Sequence, residues 1–210
     1  MSTRMHARRI GRPSAAVSAA TRARILAAAR CAFASAGYGQ ASNRQIAAAA
    51  GITPPALYHW FDSKAALFAA VQSDSIALLL EAYRAAAASA ATCVDRLCAA
   101  FAANASLNRE HPGLAEFLAS APLDIRRHPE LARTVTDVGT TIPRLFRGWI
   151  EEGVRTGELH PELDVGAAVG VVTALSFGLA WLRGTVPDPA EHDAMLRHAE
   201  RLIRGTLFRK

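Results

Sequence analysis

Residues 42–61 read SNRQIAAAAGITPPALYHWF, and the punctuation of this stretch decides the fold. Ser42 is a candidate N-cap for a short helix with Ile46, Ala47 and Ala50 facing inward and Gly51 as its stop. Thr53 caps the next helix, and Pro54 takes its first position, where a missing N–H costs nothing. Helix, glycine turn, capped helix is the outline of a helix-turn-helix. Ala47 is small enough for two helices to cross closely, Gly51 supplies the positive φ of the turn, and Ile52 and Leu57 lock the crossing. Thr53, Pro54, Pro55, Tyr58 and His59 remain outward, short or polar at the start and aromatic at the far end. Such a helix suits entry of its N-terminus into a major groove. Thr53 and free N–H groups beside it are expected to hold a phosphate, helped by the helix dipole. By itself the pattern also fits an ordinary helical hairpin with an exposed face.

The charge pattern separates these two readings. Residues 1–61 contain eight arginines and no acid, and the first carboxylate is Asp62. Residues 62–210 hold sixteen basic and eighteen acidic residues, so a net charge of +6 conceals a cationic front and a slightly acidic back. The front has the sign needed to bind a polyphosphate. Upstream, Thr21 is the expected N-cap of a first helix with Ile25, Ala29 and Phe33 at i, i+4 and i+8, ended by Gly37. Residues 1–20 read as a flexible basic arm. Its Arg8-Arg9-Ile10-Gly11-Arg12-Pro13 run is similar to segments that enter narrow A·T-rich minor grooves, and equally fits an untargeted basic tail. Downstream, Asp62 or Ser63 caps a long fourth helix carrying Leu67, Val71, Leu78 and Leu79.

The back half continues as helices. Thr92 with Asp95 resembles a capping box, followed by the stripe Val94, Leu97, Cys98, Phe101 and Ala105 and the break His111-Pro112-Gly113. A shorter segment runs from Leu114 to about Pro122. Leu131, Val135, Val138, Ile142, Leu145 and Trp149 then repeat at helical spacing up to Gly157, which predicts one long helix kinked at Pro143. A final helix carries Met195, Ala199, Leu202 and Ile203. No stretch alternates with period two, so the expected class is all-α, with about nine helices. Residues 165–182 are uncharged throughout, long enough to cross a membrane. The small residues Gly166 and Gly170 and the flanking Asp164 and Arg183 favour a buried helix at a subunit interface instead, and no membrane partner is expected.

Residues 21–67, from TRARILAAAR through SNRQIAAAAGITPPALYHWF to DSKAALF, resemble the N-terminal domain of the TetR family of bacterial transcriptional regulators. The family's run of Phe-alanine, Gly-Tyr, Ile-Ala, Ala-Gly-Ile-Thr, Leu-Tyr-His and Phe-x-Ser-Lys stands here in order. The resemblance implies an N-terminal three-helix helix-turn-helix domain at 21–67 and a larger helical ligand-binding and dimerisation domain at 68–210. It implies double-stranded DNA with an inverted-repeat operator as partner, a homodimer through the last two helices, and regulation, usually repression, relieved by a small apolar ligand.

Carried over by position, Thr21 and Ser42 would touch phosphates from helix N-termini. Asn43 and Arg44 stand where the family meets DNA, and the Arg44 fork matches the O6 and N7 edge of guanine. Thr53, Tyr58 and His59 match backbone-gripping positions, and Pro54, Pro55 and Ala56 would lie against bases. Lys64 matches a phosphate anchor. Trp60 departs from the family's usual His or Tyr, and either packs under the recognition helix or meets the sugar-phosphate edge. In the back half, Phe101, Phe117, Phe146, Trp149, Phe177 and Trp181, with Asn104 and Thr141, are candidate pocket residues; each aromatic taken alone is more often plain core.

Other classes are weaker. Three cysteines are too few for a disulfide framework, and no leader pattern is read at the N-terminus, so a reducing cytoplasm is expected. No phosphate loop, dinucleotide fingerprint or His-Glu-x-x-His motif occurs. Ala174-Leu175-Ser176-Phe177-Gly178 lacks one glycine and a preceding strand for a nucleophile elbow. No enzyme activity, cofactor or metal is expected; the alternative is a small helical enzyme, or a thiol or metal sensor built on the same bundle through Cys31, Cys93 or Cys98.

Overall fold

Caps and glycine stops cut the chain into ten α-helices in the computed structural model, which describes residues 15–136, 139–185 and 188–207. They are α1 (Ala15–Gln40), α2 (Asn43–Ala49), α3 (Pro54–Tyr58), α4 (Lys64–Ala87), α5 (Cys93–Glu110), α6 (Leu114–Arg127), α7 (Pro129–Thr134), α8 (Thr141–Arg155), α9 (Val165–Thr185) and α10 (Pro189–Ile203). No strand occurs among the described residues. The arm residues Arg8, Arg9 and Arg12 and the stripe residue Val138 lie outside them.

The head consists of α1–α3, closed by Ile25, Ala29, Phe33, Ile46, Ala47 and Leu57, all essentially without solvent contact. The body packs α4 against α5 and α1, with α6 between α1 and α9 and with α8 against α9. An aromatic column joins head to body. The Phe33 ring meets Phe68 edge-on at 5.1 Å, and Phe68 meets Phe117 at 5.2 Å. Two polar ties run beside it. Arg30, buried in α1, reaches Asp74 of α4 at 3.4 Å. The Asp124 carboxylate of α6 accepts from the Tyr38 backbone N–H at 2.9 Å, where Gly37 (φ 72°) bends the end of α1. Gly113, at φ 76°, starts α6 so close to α1 that a Cβ there would meet Cys31 Cα at 3.3 Å.

Three helix limits differ from the sequence expectation. First, α1 begins at Ala15, so residues 15–20 are helical and Thr21 is no N-cap; its hydroxyl donates one turn back to the Val17 carbonyl at 2.9 Å. Second, α6 runs through Pro122 to Arg127 and forgoes only the bond a residue-122 N–H would make to Leu118. Third, the long kinked helix is two helices, α7 and α8, which raises the count from nine to ten. The backbone turns at Gly139 (φ 74°), and Pro143 sits in the first turn of α8, where its ring kinks nothing.

Candidate nucleic-acid interface and effector cavity

The helix crossing forms around Ala47. Ile52 N–H donates to the Ala47 carbonyl at 3.0 Å, and Gly51 holds φ 68° between the two helices. Ser42 occupies the N-cap of α2 with no side-chain capping bond. Thr53 caps α3, its Oγ1 accepting from Ala56 N–H at 3.3 Å. Arg44, Thr53, Pro54, Pro55, Tyr58 and His59 are exposed on one face of the head, while Ser42, Asn43 and Ala56 are half-buried beside them. Asn43 Nδ2 donates to the Tyr58 hydroxyl at 3.2 Å, which bolts the first turn of α2 to the end of α3. Among the described residues of the head, Arg22, Arg24 and Arg44 are exposed cations, whereas Arg30 is buried against Asp74.

The expected phosphate cradle at the start of α3 is not formed from backbone N–H groups. Pro54 and Pro55 carry none, and the Ala56 N–H is already given to Thr53 Oγ1. A five-residue helix also adds little dipole. Phosphate contact here falls to side chains. Lys64 is engaged within the protein: its ammonium donates to the Gly39 carbonyl at 3.2 Å and lies 4.7 Å from the Tyr38 ring centre. Burial there lowers its pKa, and Asp124 and Glu130 counter the shift. Trp60 is half-buried against the head's core, the packed alternative of the two.

A second concavity lies in the body. A cavity of about 180 Å³ opens between α4, α6, α8 and α9, walled by Ile76, Leu79, Leu118, Pro122, Ile125, Ile142, Pro143 and Phe177, with Gln72 and Thr141 as its polar side chains. Among the described residues no charged one lines it. A neighbouring space of about 20 Å³ shares Leu79, Leu118 and Phe177 and touches Tyr83, Asn104 and Ser176. There the Tyr83 hydroxyl sits between Asn104 Oδ1 at 3.0 Å and Ser176 Oγ at 2.9 Å.

Residues 25–71 match the family model of bacterial regulatory proteins, tetR family. This stretch, spanning α2, α3 and most of the head, is where the chain is similar to that family's DNA-binding domain. Solved structures of similar fold include the fatty acid degradation regulator FadR from Bacillus halodurans, 20% identical, with TM-score 0.74 over 90% of this chain and 97% of that one. FadR from Bacillus subtilis in complex with stearoyl-CoA is 22% identical, with TM-score 0.70 over 87% and 98%. A bacterial regulatory protein in the tetR family from Rhodococcus RHA1 is 27% identical, with TM-score 0.66 over 87% and 96%. No curated protein sequence matches the chain significantly. The protein is a DNA-binding transcriptional regulator.

Within the body the expected pocket residues disperse. Thr141 and Phe177 line the main cavity. Phe101, Phe117 and Phe146 are closed core, each with 1% exposure or less. Asn104 faces the small space beside the cavity, and Trp149 lines a shallow groove with Leu80, Arg84 and Gly148. Trp181 points out of the monomer, 58% exposed. The main cavity residues that sequence reading missed include Gln72. Its signal was a lone amide on the apolar stripe Phe68, Gln72, Ile76, Leu79, Tyr83 of α4. Cys93 and Cys98 are buried, and burial pushes the Cys93 thiol up to about 11, away from the thiolate a redox sensor needs.

Proposed function

We propose that the protein is a dimeric, cytoplasmic repressor that holds an inverted-repeat operator through its head, residues up to 67, and is released by a small apolar ligand in its body, residues 68–210. Arg44 reads a guanine edge, Pro54, Pro55 and Ala56 make apolar contact with bases, and Ser42, Asn43, Thr53, Tyr58 and His59 grip the backbone. Arg8, Arg9 and Arg12 add a minor-groove contact. The tied Lys64 approaches a phosphate only by sharing its remaining N–H groups.

Dimerisation is supported by the outer seam of α9. Gly170, Val171, Ala174, Gly178 and Trp181 are all exposed and fall on one face, and no atom lies within 4 Å of a Cβ added at Gly170 or Gly178. An apolar stripe of small residues with one large anchor suits close approach of a second copy of α9, and α10 leaves Leu202 exposed as well.

The observation that carries effector control is that α4 serves both regions. Its N-terminus is capped by Ser63 just behind the recognition helix, and its Gln72, Ile76 and Leu79 wall the cavity. On the opposite wall, Pro122 and Ile125 flank Asp124, which grips Tyr38 of the head. A ligand that prefers one arrangement of α4 and α6 therefore biases the spacing of the two recognition helices. Two such helices must stand about 34–36 Å apart to reach successive major grooves. FadR from Bacillus subtilis is seen with stearoyl-CoA. Among the described residues this cavity has no cation for the phosphates of such a ligand, which favours a smaller, uncharged effector here. The test is selection of bound duplexes from a random pool, with and without small apolar compounds. An inverted repeat with half-sites about one helical turn apart is expected; bound sequences with no common symmetry would contradict the reading.

A further inference from the structure

The main cavity is apolar except where Gln72 and Thr141 meet it. Gln72 is only 5% exposed, and its Oε1 has no hydrogen-bond partner. A buried amide in that condition is unfavourable unless something entering the cavity pairs with it. The residue stands on α4 between Phe68 and Ile76, positions where an aliphatic side chain would complete the stripe.

We propose that Gln72 is the polar recognition group for a small, uncharged, ring-sized effector that carries a hydroxyl. This rests on the effector-controlled regulator described above and names the chemical class it answers to. Three features set that class. Size is the first: apolar cavities of about 150 Å³ accept a single benzene ring, and about 180 Å³ falls short of the roughly 300–1,000 Å³ of sites for larger ligands. Charge is the second. Among the described residues no Arg, Lys, His, Asp or Glu lines the walls, so an ionised ligand would lose its hydration with no compensating partner there. Hydrogen bonding is the third. A hydroxyl both donates and accepts, so it pairs with the Gln72 amide whichever way that amide is turned. A pure hydrocarbon would fill the space and leave the amide unsatisfied.

Calorimetry on the full-length protein at pH 7, with phenol, toluene and benzoate as probes, tests this. Phenol should bind about tenfold tighter than toluene, and benzoate should not bind. Gln72→Met keeps the volume and should bring phenol down to the level of toluene while toluene is unchanged. Ile76→Phe fills the space from one turn along α4 and should abolish binding of both; thermal melting without ligand shows that each variant is folded. Equal affinity for phenol and toluene, binding of benzoate as tight as phenol, or an unchanged phenol preference in Gln72→Met overturns the proposal. Duplex binding, measured separately, keeps the two readings apart. Gln72-dependent phenol binding that leaves duplex affinity unaltered supports the ligand class and overturns effector control. Intact duplex binding without a phenol preference overturns the ligand class alone.

Discussion

Head and body place their polar groups in opposite ways. On the α2–α3 face, Arg44, Thr53, Tyr58 and His59 stand in solvent, and the apolar residues behind them close completely around Ala47. In the body the polar groups are drawn inside. The Tyr83 hydroxyl is shared between Asn104 and Ser176, and Gln72, which lines the cavity, has an Oε1 without a partner. An exposed polar face works by meeting a charged, hydrated partner, and a buried one works by choosing among small uncharged ones. The Phe33–Phe68–Phe117 column and the Asp124–Tyr38 tie are where the two regions meet.

Breaking that junction should have the largest effect. Phe68→Ala leaves a cavity between three rings and should cost about 3–5 kcal/mol of stability, read as a lowered denaturant midpoint. Separate melting of head and body in this variant would mean that the column is their main link; unchanged stability would mean that it is not. Arg44→Ala touches only the exposed side of the comparison. It should lose about 1–3 kcal/mol of operator affinity and relax preference at one base pair, with thermal stability and phenol binding unchanged. A uniform loss over all sequences would make Arg44 a phosphate contact instead.

Asp124→Asn sharpens the comparison, because it keeps the shape and removes the charge that accepts from Tyr38 N–H. A charge-assisted bond of this kind contributes about 1.5–3 kcal/mol, so a melting shift at the lower end of that range is expected, since the amide oxygen still accepts. Duplex affinity should also respond less to ligand. An undiminished ligand response would remove α6 from the coupling. Thr53→Ala is the mildest change. Loss of the α3 cap should cost about 1 kcal/mol, visible in hydrogen exchange of the 53–60 turn and not in the body.

The head was legible in the sequence because its determinants are local. Caps, Gly51 and the small Ala47 lie within twenty residues, and each has one geometric meaning. Even there, the start of α1 was misread, because residues 15–20, AAVSAA, carry no stripe to mark a helix against an arm. The body was legible only as helices. Val135 and Ile142 share a periodic stripe that continues across a real break, so periodicity alone joined α7 to α8. Three of the six aromatics proposed for a pocket, Phe101, Phe117 and Phe146, close the core instead, and Phe177 reaches the main cavity. Apart from Phe177 the cavity is made by shorter side chains, from four helices, and their meeting is set by packing angles that no local pattern encodes.

The most direct measurement is the affinity of the full-length protein for duplex DNA as salt is raised. A cationic head gripping the backbone predicts a linear fall of log affinity with log salt, with a slope near −0.9 for each phosphate neutralised. It also predicts two protomers on each inverted repeat. Affinity indifferent to salt, or no binding to duplex at low ionic strength, would contradict the assignment of the α2–α3 face.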